Sequence, residues 1–172
     1  GVMDDKVQEH AAELLAELHN IQADFFGLER DTAISPYHQP NPFEVDWVTF
    51  FRDHRLLYMA REALSDGAID AGLMKKIEKL AGRLEEFIGT TTKPLLIHGD
   101  LWGGNILLGQ GRVNAFIDPA MYFADPEMEL ASIRLFDTFG DPFFHRYNEI
   151  RQISKGFEAV RRHIYGLYPM LV

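Results

Sequence analysis

Val7, Ala11, Leu14, Leu15 and Leu18 recur at steps of three and four, with acidic residues early, which predicts an amphipathic helix over residues 4 to 20. From Asn20 to Asn41 the periodicity lapses, and Gly27, Pro36 and Pro40 mark turns in an irregular segment. Pro42 opens a second helical stretch with Asp46 as its cap. Trp47, Phe50, Phe51 and Leu57 give it an aromatic-rich face up to about Leu64, and Ser65, Asp66 and Gly67 end it. A third helix is expected from about Ala71 to Ile88 on the stripe Leu73, Ile77, Leu80, Leu84 and Ile88. The stretch Gly89-Thr90-Thr91-Thr92-Lys93-Pro94 breaks it, and the short run Leu95-Leu96-Ile97 leads into a polar, glycine-containing loop.

Two apolar runs follow, Ile106-Leu107-Leu108 and Val113 to Ile117. Between them Gly109-Gln110-Gly111-Arg112 supplies turn residues that tolerate positive φ, so the pattern predicts a β-hairpin. Beyond Pro119, Met128, Ala131, Leu135 and Phe136 suggest a helix from Glu127 to Thr138. Gly140-Asp141-Pro142 breaks the chain; Phe143, Phe144 and Tyr147 begin another helical stretch, and Phe157 to Tyr168 reads as the last helix. The expected fold class is mainly α with a small β-hairpin, an α+β domain without repeats or an interdomain linker. The aromatic clusters at 47–51 and 143–147 read as core.

The polar loop changes this picture. It runs His98-Gly99-Asp100-Leu101-Trp102-Gly103-Gly104-Asn105, and Asp118 stands thirteen residues beyond Asn105. A hairpin between them returns the chain so that Asn105 and Asp118 sit side by side at its open end, facing one metal. Oxygen donors of this kind suit magnesium, above all when substrate phosphates complete its shell. An aspartate that accepts a hydroxyl proton, an asparagine and a second aspartate on the metal are the parts phosphoryl transfer needs. Singly, each is more often an ordinary turn or packing residue. In this order and spacing they imply phosphotransfer chemistry.

Composition narrows the remainder. The chain has 172 residues, enough for one cored domain, and 47% of them are hydrophobic. A formal charge of −9 and a pI near 5.2 argue against a nucleic-acid partner, since no basic stripe is available to meet phosphates. Lys155, Arg161, Arg162 and His163 read as a solvated helix face. There is no cysteine, which excludes disulfides and thiolate metal sites. No long apolar run points to a membrane span, and a cytoplasmic location is expected. Gly1 reads as a cleavage remnant, and the abrupt start suggests a piece of something longer.

The block Leu96 to Asn105 resembles the catalytic loop of the fructosamine kinase (ketosamine kinase) family, within the aminoglycoside-phosphotransferase-like, protein-kinase-like fold. Phe116-Ile117-Asp118-Pro119-Ala120 resembles its metal-binding segment, and Glu127-Met128-Glu129-Leu130-Ala131 its following helix start, which Leu135-Phe136 and Phe143-Phe144 through Tyr147 continue. Upstream, Leu18-His19, the Phe25–Gly27 region, Gln39 with Asn41, Asp46-Trp47, Phe50-Phe51 and Arg55-Leu56 also fit.

The resemblance implies ATP and Mg²⁺ as cofactors and a small-molecule or protein-bound ketoamine as substrate. Asp100 is then the base, Asn105 and Asp118 are the metal ligands, and Trp102 borders the sugar-amine pocket. His98 orders the loop, and Glu129 anchors its backbone. It also implies that residues 1–172 are a C-terminal lobe. Nothing before residue 98 reads as the glycine-rich strand pair and lysine of a nucleotide-binding lobe, so the isolated chain is expected to be nearly inactive. Kinases of choline-like or aminoglycoside-like amines, and a truncated member acting through protein contacts, are the alternatives.

Overall fold

The computed structural model describes residues 3–89 and 92–172; Gly1, Val2, Thr90 and Thr91, and with them the expected cleavage remnant and part of the expected helix break, lie outside the described residues. The chain begins with α1 (Asp5–Leu18), a hairpin of β1 (Thr32–Ile34) and β2 (Tyr37–Gln39), and α2 (Trp47–Phe51). A π-helical turn (Arg52–Leu56) joins α2 to α3 (Leu57–Ser65), and α4 (Ala71–Ala81) and α5 (Glu85–Ile88) follow. Then come β3 (Leu95–Ile97), a 3₁₀ turn (Gly103–Asn105), β4 (Ile106–Gly109), β5 (Arg112–Phe116) and β6 (Tyr122–Ala124). The last part is helical: α6 (Glu127–Leu135), α7 (Asp141–Ile150), a π turn (Phe157–Arg161), α8 (Arg162–Tyr165) and α9 (Leu167–Leu171). Among the described residues the strands form three two-stranded antiparallel ladders, β1–β2, β3–β6 and β4–β5. No helix among them is long and apolar enough to cross a membrane.

α1 starts where the Asp4 side chain accepts the Val7 amide at 2.9 Å, filling one of the unpaired donors of a helix start. Its buried stripe is Val7, Ala11, Ala12, Leu15 and Ala16, and its small side chains admit α7 at close range. From α7 come Phe143 and Tyr147, both in the core, with Phe143 stacked on Phe139 at 4.6 Å. Asp46 caps α2, accepting the Thr49 amide at 2.7 Å, as the sequence predicts. Trp47, Phe50 and Phe51 are buried, so the cluster is core. The widened π turn after them places Arg55 wholly inside, 3.8 Å from the Tyr122 ring centroid and donating to Asn41 Oδ1 and Pro40 O.

Several expectations are corrected. The segment 20–41 is not merely irregular: β1 and β2 pair across a turn at Ser35, whose φ is +53°. The segment is also bridged to the β3–β6 ladder at Gln22–Leu95 and Gly27–Phe123. The helix expected from Ala71 to Ile88 is interrupted between Gly82 and Leu84; of its predicted stripe Ile77, Leu84 and Ile88 are buried, joined by Met74 and Ala81, while Leu73 is exposed. Glycine at the α4 C-cap offers little resistance to the break. The helix at Glu127 stops at Leu135, because Asp137 turns the chain with φ +50°, and Leu135 and Phe136 end up exposed. Asp141 and Pro142 belong to the first turn of α7, where proline's missing N–H costs nothing. The last helix arrives in three pieces. Arg161 is not on a solvated face: it forks onto Glu127, with N–O distances of 2.5 and 2.9 Å.

One buried polar chain gives the fold a pH signature. Trp47 Nε1 donates to the Tyr165 hydroxyl, and that hydroxyl donates to Asp125 Oδ2, at 2.8 and 2.9 Å. Burial, with the neighbouring Glu127 charge, pushes the Asp125 carboxyl up to about 6. A raised folded value means that Asp125 stabilises while protonated: its contribution is full below the unfolded value near 3.8 and is lost as pH rises through about 6. Asp125→Asn is therefore expected to gain stability relative to the parent by about 1–3 kcal/mol between pH 4 and 7.5. Thermal unfolding across that range is the check, and an unchanged difference between the two proteins would contradict it.

Candidate active site

The loop is stapled at apolar residues and open at polar ones. Ile97, Leu101 and Ile106 are buried, so the main chain between them is held from below while Asp100 stands half-buried and Trp102 about half exposed. The 3₁₀ turn closes with the Asn105 amide on the Trp102 carbonyl at 2.9 Å. The hairpin then forms where the spacing predicts it. Gln110 and Gly111, with φ of +53° and +71°, make a two-residue turn, tighter than the expected four. At the open end Ile106 pairs with Phe116, and the Ile117 amide donates to the Asn105 carbonyl at 3.0 Å. Asp118 is the next residue, exposed, with its backbone in the left-handed region at φ +53°.

Asn105 is buried, and its Nδ2 donates to both the Asp100 carbonyl and Asp100 Oδ2, at 2.8 and 3.1 Å. That orientation leaves its Oδ1 as the atom free for a metal. Among the described residues no group of three or more histidine, cysteine, aspartate or glutamate side chains would hold a metal alone. Two oxygen donors that need outside oxygens to complete a shell match magnesium bound with a phosphate ligand. Burial raises the Asp100 carboxyl. The Asn105 hydrogen bond and His98 pull it down, and the Glu129 and Asp118 charges push it up again.

His98 is buried beneath the loop. Its ring Nε2 lies 2.9 Å from the Ile117 carbonyl, and its Nδ1 accepts the Asp100 amide at 3.3 Å. A neutral ring with the proton on Nε2 meets both partners. Gly99 has φ +85°, and a Cβ there would stand 2.2 Å from the Ala120 carbonyl oxygen, so only glycine lets the loop and the Asp118 segment lie this close. Gly104 is small for a different reason: a Cβ would meet the Trp102 indole at 2.4 Å. The indole therefore lies on the loop backbone. A small cavity beside Asp100 is lined by Ile34, Trp102, Tyr122, Phe136 and Tyr168.

Glu129 reaches the loop from α6. Its two oxygens accept the Gly99 amide at 2.8 Å and the His98 amide at 3.0 Å. Burial would raise this carboxyl, but the His19 hydrogen bond and charge and the His98 contacts hold it below the usual range. Three supporting residues carry no sequence signal of their own. His19 and Tyr147 stand behind Glu129, and Gln39 donates to the Ala120 carbonyl at 3.0 Å. Each is a lone polar residue whose partner lies far along the chain. Only the fit of Leu18-His19, of Gln39 and of the Phe143-Phe144 to Tyr147 stretch to the family pattern marked them.

Known proteins resemble this chain throughout. The fructosamine kinase family model matches residues 2–172. A Synechocystis protein named as a ketoamine kinase is 34% identical over 161 residues, covering 91% of this chain and 52% of that protein. A Thermobifida fusca crystal structure described as a fructosamine-3-kinase superposes with a TM-score of 0.89 at 31% identity, covering 99% of this chain and 59% of the other. A thermostable aminoglycoside phosphotransferase mutant, 18% identical with a TM-score of 0.58, shares the fold, covering 97% of this chain and 55% of its own. The chain spans about half the length of the curated relatives it matches. By sequence along its length and by its kinase-like fold, it belongs to the fructosamine kinase family.

Proposed function

We propose that these residues are the catalytic-loop half of an ATP-dependent kinase that phosphorylates a sugar hydroxyl of a ketoamine. The observation that carries this reading is the Asp100–Asn105 hydrogen bond at one leg of the hairpin with Asp118 at the other, in a chain of this family. Asp100 accepts or steers the proton of the attacking hydroxyl. Asn105 Oδ1 and the Asp118 carboxylate would hold Mg²⁺, which would offset the charge on the phosphoryl group that ATP supplies. The exposed indole face of Trp102 borders the sugar-amine group, while His98 and Glu129 keep the loop in register.

All six lysines of the chain are exposed, and none lies in a glycine-rich hairpin. On this reading the lysine and glycine-rich strands that grip the nucleotide would lie in a lobe outside these 172 residues, in keeping with a chain that spans about half the length of its relatives.

The test is Mg–ATP-dependent phosphorylation of a fructosyl-amine by the full-length protein, beside the 172-residue chain alone. Phosphate is expected on the sugar with the former and little turnover with the latter. No transfer by folded, Mg–ATP-binding full-length protein would reject the ketoamine and direct the search to other hydroxylated amines. Robust turnover by the short chain would overturn the two-lobe reading.

A further inference from the structure

Behind Glu129 lies a chain of side chains that the reaction does not touch. His19, the C-cap residue of α1, is fully buried, and Tyr147 of α7 is nearly so. The His19 Nε2 lies 3.0 Å from Glu129 Oε2, and its Nδ1 lies 2.7 Å from the Tyr147 hydroxyl. A carboxylate only accepts, so Nε2 carries a proton and donates to Glu129, while Nδ1 shares the second hydrogen bond with the tyrosine hydroxyl. Glu129 Oε2 thus receives both the His19 ring and the His98 amide, while Oε1 receives the Gly99 amide. The other titratable groups facing Glu129 are His98 and Asp100 from the loop, Tyr122 from β6 and Tyr147 from α7.

We propose that His19, oriented by Tyr147, is a positioning residue for Asp100, acting through Glu129 on the two backbone amides immediately before it. The inference rests on the reading of Asp100 as the reacting base, which it deepens. Four points of the chain meet here: the end of α1, the catalytic loop, α6 and α7. The packing of α1 on α7 fixes the ring, the ring fixes the carboxylate, and the carboxylate fixes the amides of His98 and Gly99. Without the imidazole donor, Glu129 keeps two amides but loses the side-chain partner that holds its second oxygen in a buried setting. The loop then samples positions in which Asp100 no longer meets the hydroxyl. Displacements on the order of 1 Å in such a geometry cost about a hundredfold in rate.

The experiment uses the full-length enzyme carrying His19→Leu, His19→Gln or Tyr147→Phe. Glutamine retains an N–H donor able to reach Glu129, whereas leucine keeps bulk alone. His19→Leu is expected to lower kcat by about 10–100-fold with the KM values for Mg–ATP and the fructosyl-amine within about threefold. His19→Gln should recover most of the loss, and Tyr147→Phe should fall between them. Amide exchange at His98 and Gly99 should quicken in His19→Leu while that of α3 is unchanged. Equal kcat losses in the leucine and glutamine variants, or unaltered exchange at these two amides, would overturn the proposal. If the unsubstituted enzyme fails to phosphorylate the ketoamine, the proposed function falls. The exchange measurement still decides whether His19 orders the loop.

Discussion

Asp100→Asn in the full-length protein is expected to lower kcat for phosphoryl transfer by about 10²–10⁴-fold, the range for loss of a positioned general base. The substitution is nearly isosteric. Asn105 Nδ2 keeps the Asp100 backbone carbonyl as an acceptor, and the new amide oxygen replaces Oδ2 as the second. The loop should therefore hold its shape, with a melting temperature close to the parent's. Affinity for Mg–ATP should change little, because the metal donors are assigned to Asn105 and Asp118. Loss of kcat with binding and stability retained is the expected pattern, read from steady-state kinetics, calorimetric titration and thermal unfolding. Activity within tenfold of the parent would remove Asp100 from the role of base.

Glu129→Gln is expected to act on stability first. Both oxygens of this buried carboxylate accept backbone amides, and one also faces the His19 ring. Glutamine offers one oxygen and one NH₂, so either His98 or Gly99 is left with a donor against a donor. An unsatisfied buried amide beside a lost charge-assisted bond costs about 2–4 kcal/mol. At this chain length that is a fall of roughly 5–15 °C in Tm. The pH dependence has a definite sign. Glu129 is held below its ordinary value, so its stabilisation is present above the unfolded value near 4.5 and is lost as pH falls through the lower folded one. The glutamine protein should lack that acid loss. Parallel melting curves for parent and variant from pH 3 to 7 would contradict the assignment. Asp125, raised to about 6, tilts stability the opposite way, so the two substitutions should change the profile in opposite senses.

What was legible in the sequence was local. The hairpin between Asn105 and Asp118 follows from two apolar runs and a glycine-containing turn a few residues apart, and the structure closes it at Gln110-Gly111. The Asp46 cap and the buried aromatics of α2 are equally local. What was not legible depends on distant partners. β6 exists because Tyr122 pairs with Ile97 across the whole catalytic segment, which no periodicity within Tyr122–Ala124 announces. β1 and β2 are three residues each, and β2 contains His38 and Gln39, whose polarity reads as loop. Gln39 is buried only because Thr32, Ala120 and Tyr168 converge on it. The break after α4 and the π turn after α2 are shifts of one or two hydrogen bonds inside otherwise helical patterns, and hydrophobic spacing is too coarse to register them.

The buried link from α1 to α7 also bears on synthesis. His19 and Tyr147 are 128 residues apart, with Glu129 and the loop between them in the chain. At about 5–20 residues per second, a ribosome needs roughly 6–25 s to make that interval. Throughout it, the apolar stripe of α1 has no α7 to cover it, and the loop has no finished anchor. The nascent domain is therefore most open to chaperones and proteases until α7 (Asp141–Ile150) emerges, and a translational pause before that point would prolong the exposure.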